Sequence, residues 1–393
     1  MTHTLGNLHF ALEEATILMV TVFLSFVVLN SKGTLLNRRA RKDMRQAQRA
    51  HESATPRLGG AVIFAAVAMI SVFADGFFGE RYTKFALAML PMICVTLWED
   101  MLRPTSPRTR LAATLASCLL TVMSLRIWFT SLDVPVIDPW LAGLAGVVVT
   151  VAFVTASVNA FNMVDGVNGL CGGMAMAALV SLHMIATAVG HDFVAHVALT
   201  LAVAAAAFLL FNFPKARLFL GDTGSYVFGF IISWFGISIC FRFPEVSPWA
   251  IFLIMAYPLS ELAATVTRRL LSGHSPFRAD ARHMHHLVLL LLRQVTSHGQ
   301  PLSWQNPTST LVILPFAVAP MVAAVVFFDR PGVLQGLTIA YGVAFACAYA
   351  GLHVLTGQPG RMSRPGTAEP PPASAPVLRI VDAAGRAGQD KAA

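Results

Sequence analysis

Long apolar stretches, separated by short polar ones, follow one another along most of the chain. A helix needs roughly 20 mostly apolar residues to cross a bilayer. About eleven stretches approach or reach that length, at residues 11–30, 58–74, 85–97, 111–129, 140–157, 170–189, 193–213, 225–241, 248–266, 309–328 and 333–355. The pattern predicts one all-α polytopic membrane domain over residues 1–356. It predicts a disordered tail over 357–393, where Pro, Ala, Gly and Ser dominate.

The composition agrees with lipid as the solvent. Hydrophobic residues make up 56% of the 393 residues and charged residues 12%, whereas soluble proteins carry about 25% charge. An ordinary soluble enzyme is thereby excluded. The five cysteines form no CxxC pair and are interpreted as small core residues rather than as disulfides or metal ligands.

Basic residues lie mainly in alternate loops. They are concentrated after the first stretch, between 103 and 110, at 215 and 217, and between 268 and 293. Because Lys and Arg accumulate on the cytoplasmic side, we predict an outer N-terminus and a cytoplasmic C-terminus. The net charge of +8 is then a topology signal and a contact for anionic membrane lipid, and nucleic-acid binding is not expected.

Polar residues gather in clusters at helix ends on the predicted cytoplasmic side. Ionisable residues in membrane proteins are functional candidates by default. The first cluster is Glu99-Asp100, which indicates a cation ligand or a base; two solvated loop charges are the alternative. The second is NAFNMVDGVNG, residues 159–169, which spaces Asn162, Asp165 and Asn168 three apart. They would share one helical face or converge on a ligand from a loop, with an ordinary polar loop as the alternative.

The third cluster, FLGDTGS, occupies residues 219–225. Asp222 either caps the following helix or binds Mg²⁺, with the flanking glycines leaving room for a pyrophosphate. The fourth, SPFRADARHMHH, occupies 275–286 and contains Arg278, Arg282, His283, His285 and His286. The arginines favour phosphate over zinc, and a solvated basic loop is the alternative. Arg57, in PRLGG before the second stretch, is by itself a topology charge.

The location of all clusters on one side favours an enzyme acting at the membrane surface. A transporter or flippase would require polar groups near mid-membrane and an inverted repeat, and the sequence shows neither.

Taken together, in this order from residue 51 to residue 286, the motifs resemble the polyprenyl-phosphate N-acetylhexosamine-1-phosphate transferases of glycosyltransferase family 4. The resemblance implies transfer of an N-acetylated amino-sugar 1-phosphate from a UDP-sugar, foremost UDP-GlcNAc, to undecaprenyl phosphate, with release of UMP. It implies Mg²⁺ or Mn²⁺ as cofactor and a first step in building O-antigen or a similar envelope glycan. It also implies a bacterial inner-membrane location with a cytoplasmic active site, and it allows a homodimer.

The resemblance also implies roles for individual residues. Glu99, Asp100 and Asp222 are expected to be catalytic, and Asp222 and Asp165 to hold the metal. Substrate binding falls to Arg57, Asn162, Asp165, Asn168, Arg278, Arg282, His283, His285 and His286. Glu99 and Asn168 replace aspartates of the family pattern, so Asp100 and Asp222 are favoured as the essential carboxylates. Direct attack and an aspartyl intermediate both remain open.

The peptidoglycan branch, phospho-MurNAc-pentapeptide transferase, is the alternative. Glu52 stands about where that branch is expected to carry a lysine, which argues against it.

Overall fold

The structure is a computed structural model that describes residues 2–30, 55–73, 76–273, 282–295 and 302–357. These residues form helices, with no β-strand among them. The α-helices are α1 (Thr2–Asn30), α2 (Gly59–Phe73), α3 (Gly76–Ala88), α4 (Leu90–Met101), α5 (Pro107–Leu125), α6 (Leu144–Val164), α7 (Leu170–Ala188), α8 (Asp192–Asn212), α9 (Gly221–Arg242), α10 (Pro248–Ile254), α11 (Ala256–Leu271), α12 (Met284–Val295), α13 (Leu302–Val326) and α14 (Pro331–Leu355). The all-α prediction is confirmed.

Within the described ranges, six helices are long and apolar enough to cross a membrane, or seven if a bent pair forms one span. Three shorter apolar helices accompany them, at Ala15–Asn30, Gly59–Val72 and Met284–Val295. The chain is therefore an all-α polytopic membrane protein. The count of eleven spans and the orientation stay predictions.

Two of the predicted spans are broken, and each break lies close to a proline. The stretch 248–266 is divided into α10 and α11, which are bent by 73°. Pro258 lacks the backbone N–H for a helical bond, and its ring crowds the carbonyl of Ile254. The stretch 85–97 is divided at Met89 between α3 and α4, and Pro91 explains this break in the same way.

Helix α9 forms the centre of the bundle, and 83% of its apolar window is buried. It contacts α2 and α6 where small residues allow close backbone approach. A Cβ on Gly60 would overlap the backbone of Gly224, and one on Gly229 would lie 2.8 Å from the Cα of Val158. By contrast, only 6% of the window in α14 is buried, so α14 presents most of its surface to the bilayer.

The packing brings four helix ends together. The C-terminal ends of α4 and α6 meet the N-terminal ends of α9 and α12, and we call this region the polar end. Several predictions lie outside the described residues: the role of Arg278, the contribution of residues 51–54, and the disordered tail beyond Gly357.

Candidate functional site

The loop before α9 pairs with the PRLGG segment. Phe219 N–H donates to the Pro56 carbonyl at 2.9 Å, Gly59 N–H to the Phe219 carbonyl at 2.9 Å, and Gly60 N–H to the Leu220 carbonyl at 2.7 Å. This backbone pairing fixes the position of Arg57 relative to the first turn of α9. Two motifs about 160 residues apart in the sequence therefore hydrogen-bond directly to each other. Segments that build one site are expected to meet in this way.

Gly221, at the start of α9, has a backbone conformation that suits glycine alone. Its φ is +77°, and a Cβ there would lie 2.7 Å from both the Arg57 carbonyl and the Asp100 Oδ2 atom. Residues with a side chain rarely adopt such a φ. Gly221 therefore permits the PRLGG loop, α4 and α9 to meet.

Asp100 caps the N-terminus of α9 from another helix. Its carboxylate accepts hydrogen bonds from Asp222 N–H at 3.0 Å, Thr223 N–H at 2.9 Å and the Thr223 hydroxyl at 2.8 Å. The first turn of a helix presents unsatisfied N–H groups, and a carboxylate placed there is stabilised. The capping role considered for Asp222 thus belongs to Asp100.

Asp222 is left to face two arginines. Its Oδ2 atom lies 2.7 Å from Arg110 Nη1, and its Oδ1 atom lies 3.8 Å from Arg57 Nη2. The same Arg110 nitrogen lies 3.1 Å from Glu99 Oε2, and the Thr105 hydroxyl also donates to Glu99. Glu99, Arg110 and Asp222 form a partly buried ion triad.

Asn162 and Asp165 approach this triad from α6. Asn162 Oδ1 accepts a hydrogen bond from the Ser225 hydroxyl at 2.9 Å. Burial raises the pKa of Asp165 to about 7; the Arg57 charge opposes this shift, while the charges of Asp222 and Asp100 add to it. Asp165 therefore lies close enough to Arg57, Asp100 and Asp222 for their charges to shift its pKa.

Burial and the negative charge of Asp222 raise the pKa of Asp100 to about 6, against the hydrogen bonds from Thr223 and Asp222. Asp100 and Asp165 therefore release their protons less readily than usual. A cation bound between them would favour their ionised forms.

Asn168 is directed away from these carboxylates. Its side-chain amide donates to the Pro214 carbonyl at 2.9 Å, and its backbone N–H donates to Asn306 Oδ1 at 2.7 Å. Its carbonyl accepts from the Thr310 hydroxyl at 2.6 Å. These contacts tie the loop after α6 to the loop after α8 and to α13.

The histidine motif packs against the Asp165 loop. The ring centroids of His285 and His286 lie 4.2 Å apart, and His283 stacks 5.5 Å from His285. A Cβ on Gly166 would overlap the His285 ring. His285 is 1% exposed, and its two ring nitrogens have no hydrogen-bond partner among the described residues.

Glu261, on α11, contacts the histidine motif at two points. Its Oε1 atom accepts from Met284 N–H at 2.7 Å, and its Oε2 atom lies 3.5 Å from His283 Nδ1. The Arg282 carbonyl accepts from the Tyr349 hydroxyl at 2.7 Å and from Arg268 at 3.4 Å. Contacts from α11 and α14 thus hold the start of α12.

The structure brings Arg57, Glu99, Asp100, Asn162, Asp165, Asp222 and the three histidines to one end of the bundle. Sequence reasoning missed two members, Arg110 and Glu261. Arg110 was counted only as a topology charge, although it lies one helical turn beyond the Ser106 cap of α5. Glu261 is a carboxylate inside an apolar stretch, and that isolation was the available signal.

The described fold and site define an α-helical integral membrane protein with carboxylates, arginines and histidines collected at one end. Residues 82–240 match the sequence profile described as glycosyl transferase family 4. Over these residues the chain is similar to this family.

The chain is also similar to proteins of several bacteria. An undecaprenyl-phosphate alpha-N-acetylglucosaminyl 1-phosphate transferase of Salmonella typhi is 26% identical over 246 residues, which cover 61% of this chain and 66% of that protein. A probable undecaprenyl-phosphate N-acetylglucosaminyl 1-phosphate transferase of Bacillus subtilis (strain 168) is 25% identical over 252 residues, 63% of this chain and 69% of that protein. The Yersinia pestis enzyme with the same name as the Salmonella protein is 32% identical over 158 residues, 38% of this chain and 43% of that protein. The chain thus matches just under two thirds of the length of the Salmonella relative.

Proposed function

We propose that this protein transfers GlcNAc 1-phosphate from UDP-GlcNAc to undecaprenyl phosphate and releases UMP. The relatives are named as undecaprenyl-phosphate N-acetylglucosaminyl 1-phosphate transferases, which supports the transferred group and the acceptor. The observation that carries the proposal is the meeting of Asp165 and Asp222 with Arg57, Arg110 and the histidine motif at one helix-bundle end. The product would begin an envelope glycan such as O-antigen.

The donor set at the polar end suits one Mg²⁺ or Mn²⁺ ion. Mg²⁺ binds through one or two carboxylates together with substrate phosphate oxygens. Asp222 and Asp165 are the candidate ligands, because Asp100 already accepts three hydrogen bonds from α9. No group of three or more His, Cys, Asp or Glu side chains with metal-site geometry occurs in the described ranges, so substrate phosphates would complete the coordination. The ion would neutralise pyrophosphate charge and stabilise the departing UMP.

The remaining residues act by positioning and by charge. Phosphoryl transfer depends mostly on alignment and electrostatic stabilisation. Arg57 and Arg110 would hold phosphate oxygens, and Asn162 would orient the donor from α6. An oxygen of undecaprenyl phosphate would attack the sugar-bearing phosphorus. The new P–O bond forms as the bond to the α-phosphate breaks, and UMP departs with that electron pair.

Asp100 would be a positioning residue in this scheme rather than a base. Its carboxylate is committed to the first turn of α9, which carries Asp222. A phosphate monoester has its second pKa near 6 and is mostly dianionic at pH 7, so the nucleophile needs little deprotonation. His283, His285 and His286, at the start of α12, would bind the sugar or its phosphate.

The protein spans the membrane, and we place the polar end at the cytoplasmic face of the bacterial inner membrane. The distribution of basic residues supports this orientation. Soluble UDP-sugar would then enter from the cytoplasm and the lipid substrate from the bilayer. The homodimer stays a prediction.

The test is a transfer assay in membranes, with undecaprenyl phosphate, Mg²⁺ and a panel of UDP-sugars, that detects UMP and lipid-linked sugar. We expect product from UDP-GlcNAc, loss of product with EDTA, and a loss of activity of at least about 100-fold in Asp222→Asn. The matched control is Asp329→Asn, an exposed aspartate whose side chain is 55% accessible and lies far from the site in the chain.

Other outcomes would redirect the assignment. Product from UDP-MurNAc-pentapeptide alone would place the protein in the peptidoglycan branch. Absence of UMP with every donor, in protein shown to be folded, would contradict the enzyme proposal and favour a transporter. A trapped phospho-enzyme would replace direct attack by a covalent route.

A further inference from the structure

An aromatic cavity lies at the end of the bundle opposite the polar end. Its volume is about 250 Å³, and α3, α5, α8 and α9 contribute its walls. Helix α9 begins beside the polar end at Gly221 and ends at the cavity with Arg242. At 1.5 Å per residue, its 22 residues place the two sites roughly 30 Å apart.

The walls of this cavity are mostly apolar. Six aromatic side chains line it, those of Tyr82, Phe85, Phe193, Trp234, Phe235 and Phe241. Water gains little in such a space, whereas a hydrocarbon chain fits it. The cavity lies at the start of the span Asp192–Asn212 and at the end of the span Gly221–Arg242. Membrane lipid can therefore reach it.

Hydrogen-bond donors collect at the same cavity. Arg81 and Arg242 both line it, and the Arg81 guanidinium is anchored by donating to the Leu125 carbonyl at 2.6 Å. Trp234 is 2% exposed, and its indole N–H has no hydrogen-bond partner among the described residues. Buried donors normally find an acceptor, so this N–H is available to an oxygen of a molecule that binds beside Trp234.

The charged residues that line the cavity are basic. Its lining contains two arginines and a histidine, His191, but no Asp or Glu. Arginine at the end of a span lies at the depth of lipid headgroups, where it pairs with phosphate. The apolar body and the basic mouth together match a molecule with an acyl chain and an anionic headgroup.

We propose that this cavity binds an anionic phospholipid of the surrounding membrane. One acyl chain occupies the space between the aromatic rings, and the headgroup phosphate binds at Arg242 and Arg81. An ester or phosphate oxygen accepts the hydrogen bond from the Trp234 indole. This lipid site is separate from the proposed transfer reaction and stands whether or not that reaction is confirmed.

The test uses the full-length protein in mixed phosphatidylglycerol and phosphatidylcholine vesicles, with brominated acyl chains on one lipid at a time. Bromine quenches nearby tryptophan, and the part of the quenching that Trp234→Phe removes reports this cavity. We expect brominated phosphatidylglycerol to quench that part with an apparent affinity at least about fivefold higher than phosphatidylcholine. Arg242→Gln should reduce that preference by about fivefold.

The matched control is Arg330→Gln, because Arg330 is an exposed arginine that does not line the cavity. It should keep the full preference. Native mass spectrometry of the detergent-purified protein gives a second readout that needs no tryptophan substitution, and it should show selective retention of phosphatidylglycerol.

Equal quenching by the two lipids in the wild type would overturn the proposal, since it would indicate unselective boundary lipid. An unchanged preference in Arg242→Gln would do so as well. Displacement of the lipid by excess inorganic phosphate would show that the site recognises phosphate alone and would contradict the assigned occupant.

Discussion

Asp100 accepts two backbone N–H groups and one hydroxyl from the first turn of α9. These bonds hold the start of α9 against the end of α4. Asp222 is the residue whose backbone N–H is bound, and its own carboxylate is thereby directed toward Arg110 and Arg57. Asp100, predicted from the sequence as a catalytic residue, therefore also holds the first turn of α9 in place.

We predict that Asp100→Asn lowers both stability and activity. The substituted amide presents N–H groups to donors, and the loss of a charge-assisted bond costs about 1–3 kcal/mol. Displacement of Asp222 should reduce kcat on the order of 10- to 100-fold. Thermal unfolding in detergent and steady-state kinetics are the measurements.

Thr223→Val is the matched variant for Asp100, because it removes only the hydroxyl donor. Thr223→Val should lower both the stability and kcat, each by less than Asp100→Asn does. A wild-type melting temperature in Asp100→Asn, together with loss of the acidic limb of the pH–rate profile, would instead identify Asp100 as a base.

The raised pKa of Asp165 predicts a pH dependence of Mg²⁺ affinity. With a pKa of about 7, this carboxyl is protonated below that pH and cannot bind a cation. Apparent Mg²⁺ affinity should therefore fall about tenfold between pH 8 and pH 6. The apparent affinity is measured by titrating activity with Mg²⁺ at each fixed pH. Asp165→Asn should be nearly independent of pH over this interval, and an equally steep dependence in that variant would reject Asp165 as the ligand.

Sequence reasoning at the residue scale found the charged motifs but not their pairings. The sequence predicted Asp100, Asp165, Asp222 and the three histidines as site residues. Arg110 and Glu261 were missed, because each acts through a partner more than 20 residues distant, as in the Arg110–Asp222 pair and the bond from Met284 to Glu261. Such pairings depend on packing and leave no local pattern.

At the scale of elements, backbone approach decides how the motifs meet. The PRLGG segment contributes through the carbonyls and N–H groups of Pro56, Gly59 and Gly60, which bond to the loop before α9. Gly221 and Gly224 supply the space on the other side. The glycines in these motifs are therefore explained by contact between chain segments as much as by contact with a ligand.

Two glycines allow a direct test of that explanation. Gly221 and Gly190 have similar φ values, +77° and +74°, but a Cβ at Gly190 meets nothing within 4 Å. Gly190→Ala should cost about 1 kcal/mol from backbone strain alone. Gly221→Ala should cost roughly 1–3 kcal/mol more and should also abolish activity. Thermal unfolding and transfer assays measure these effects; equal losses of stability in both variants would show that the close approach is unimportant.

Prolines explain where the hydropathy pattern misjudged the elements. Apolar composition predicted continuous spans over 248–266 and 85–97, and the structure breaks both. Hydropathy measures the affinity of a stretch for lipid, whereas continuity depends on backbone N–H groups that proline lacks. Pro258 and Pro91 were visible in the sequence, but the direction of the 73° bend between α10 and α11 depends on neighbouring helices.

At the scale of the whole molecule, the two ends of α9 carry different chemistry. The end at Gly221 is surrounded by carboxylates and histidines, and the end at Arg242 lies at an aromatic cavity. Such a division suits a protein that faces a different environment on each side of a membrane. The basic loops predict which end faces the cytoplasm.

We predict opposite accessibility for two single-cysteine substitutions. Lys215→Cys lies in the loop before α9, near the polar end, and Arg330→Cys lies between α13 and α14; both positions are exposed. A membrane-impermeant maleimide applied to intact spheroplasts should label residue 330 and leave residue 215 unlabelled until the membrane is opened. The parent chain, with its own five cysteines, provides the background. The reverse pattern would invert the orientation.

The sequence by itself determined that this protein is helical and spans a membrane, and it predicted which residue types are candidates for its chemistry. These properties follow from composition and local pattern, since apolar length and helical geometry are set within a few turns of chain. Only the tertiary structure decided that Asp100 caps α9, that Asn168 supports a loop, and that Arg110 and Glu261 belong to the polar end. These facts depend on contacts between segments distant in sequence, which arise from the packing of the whole bundle.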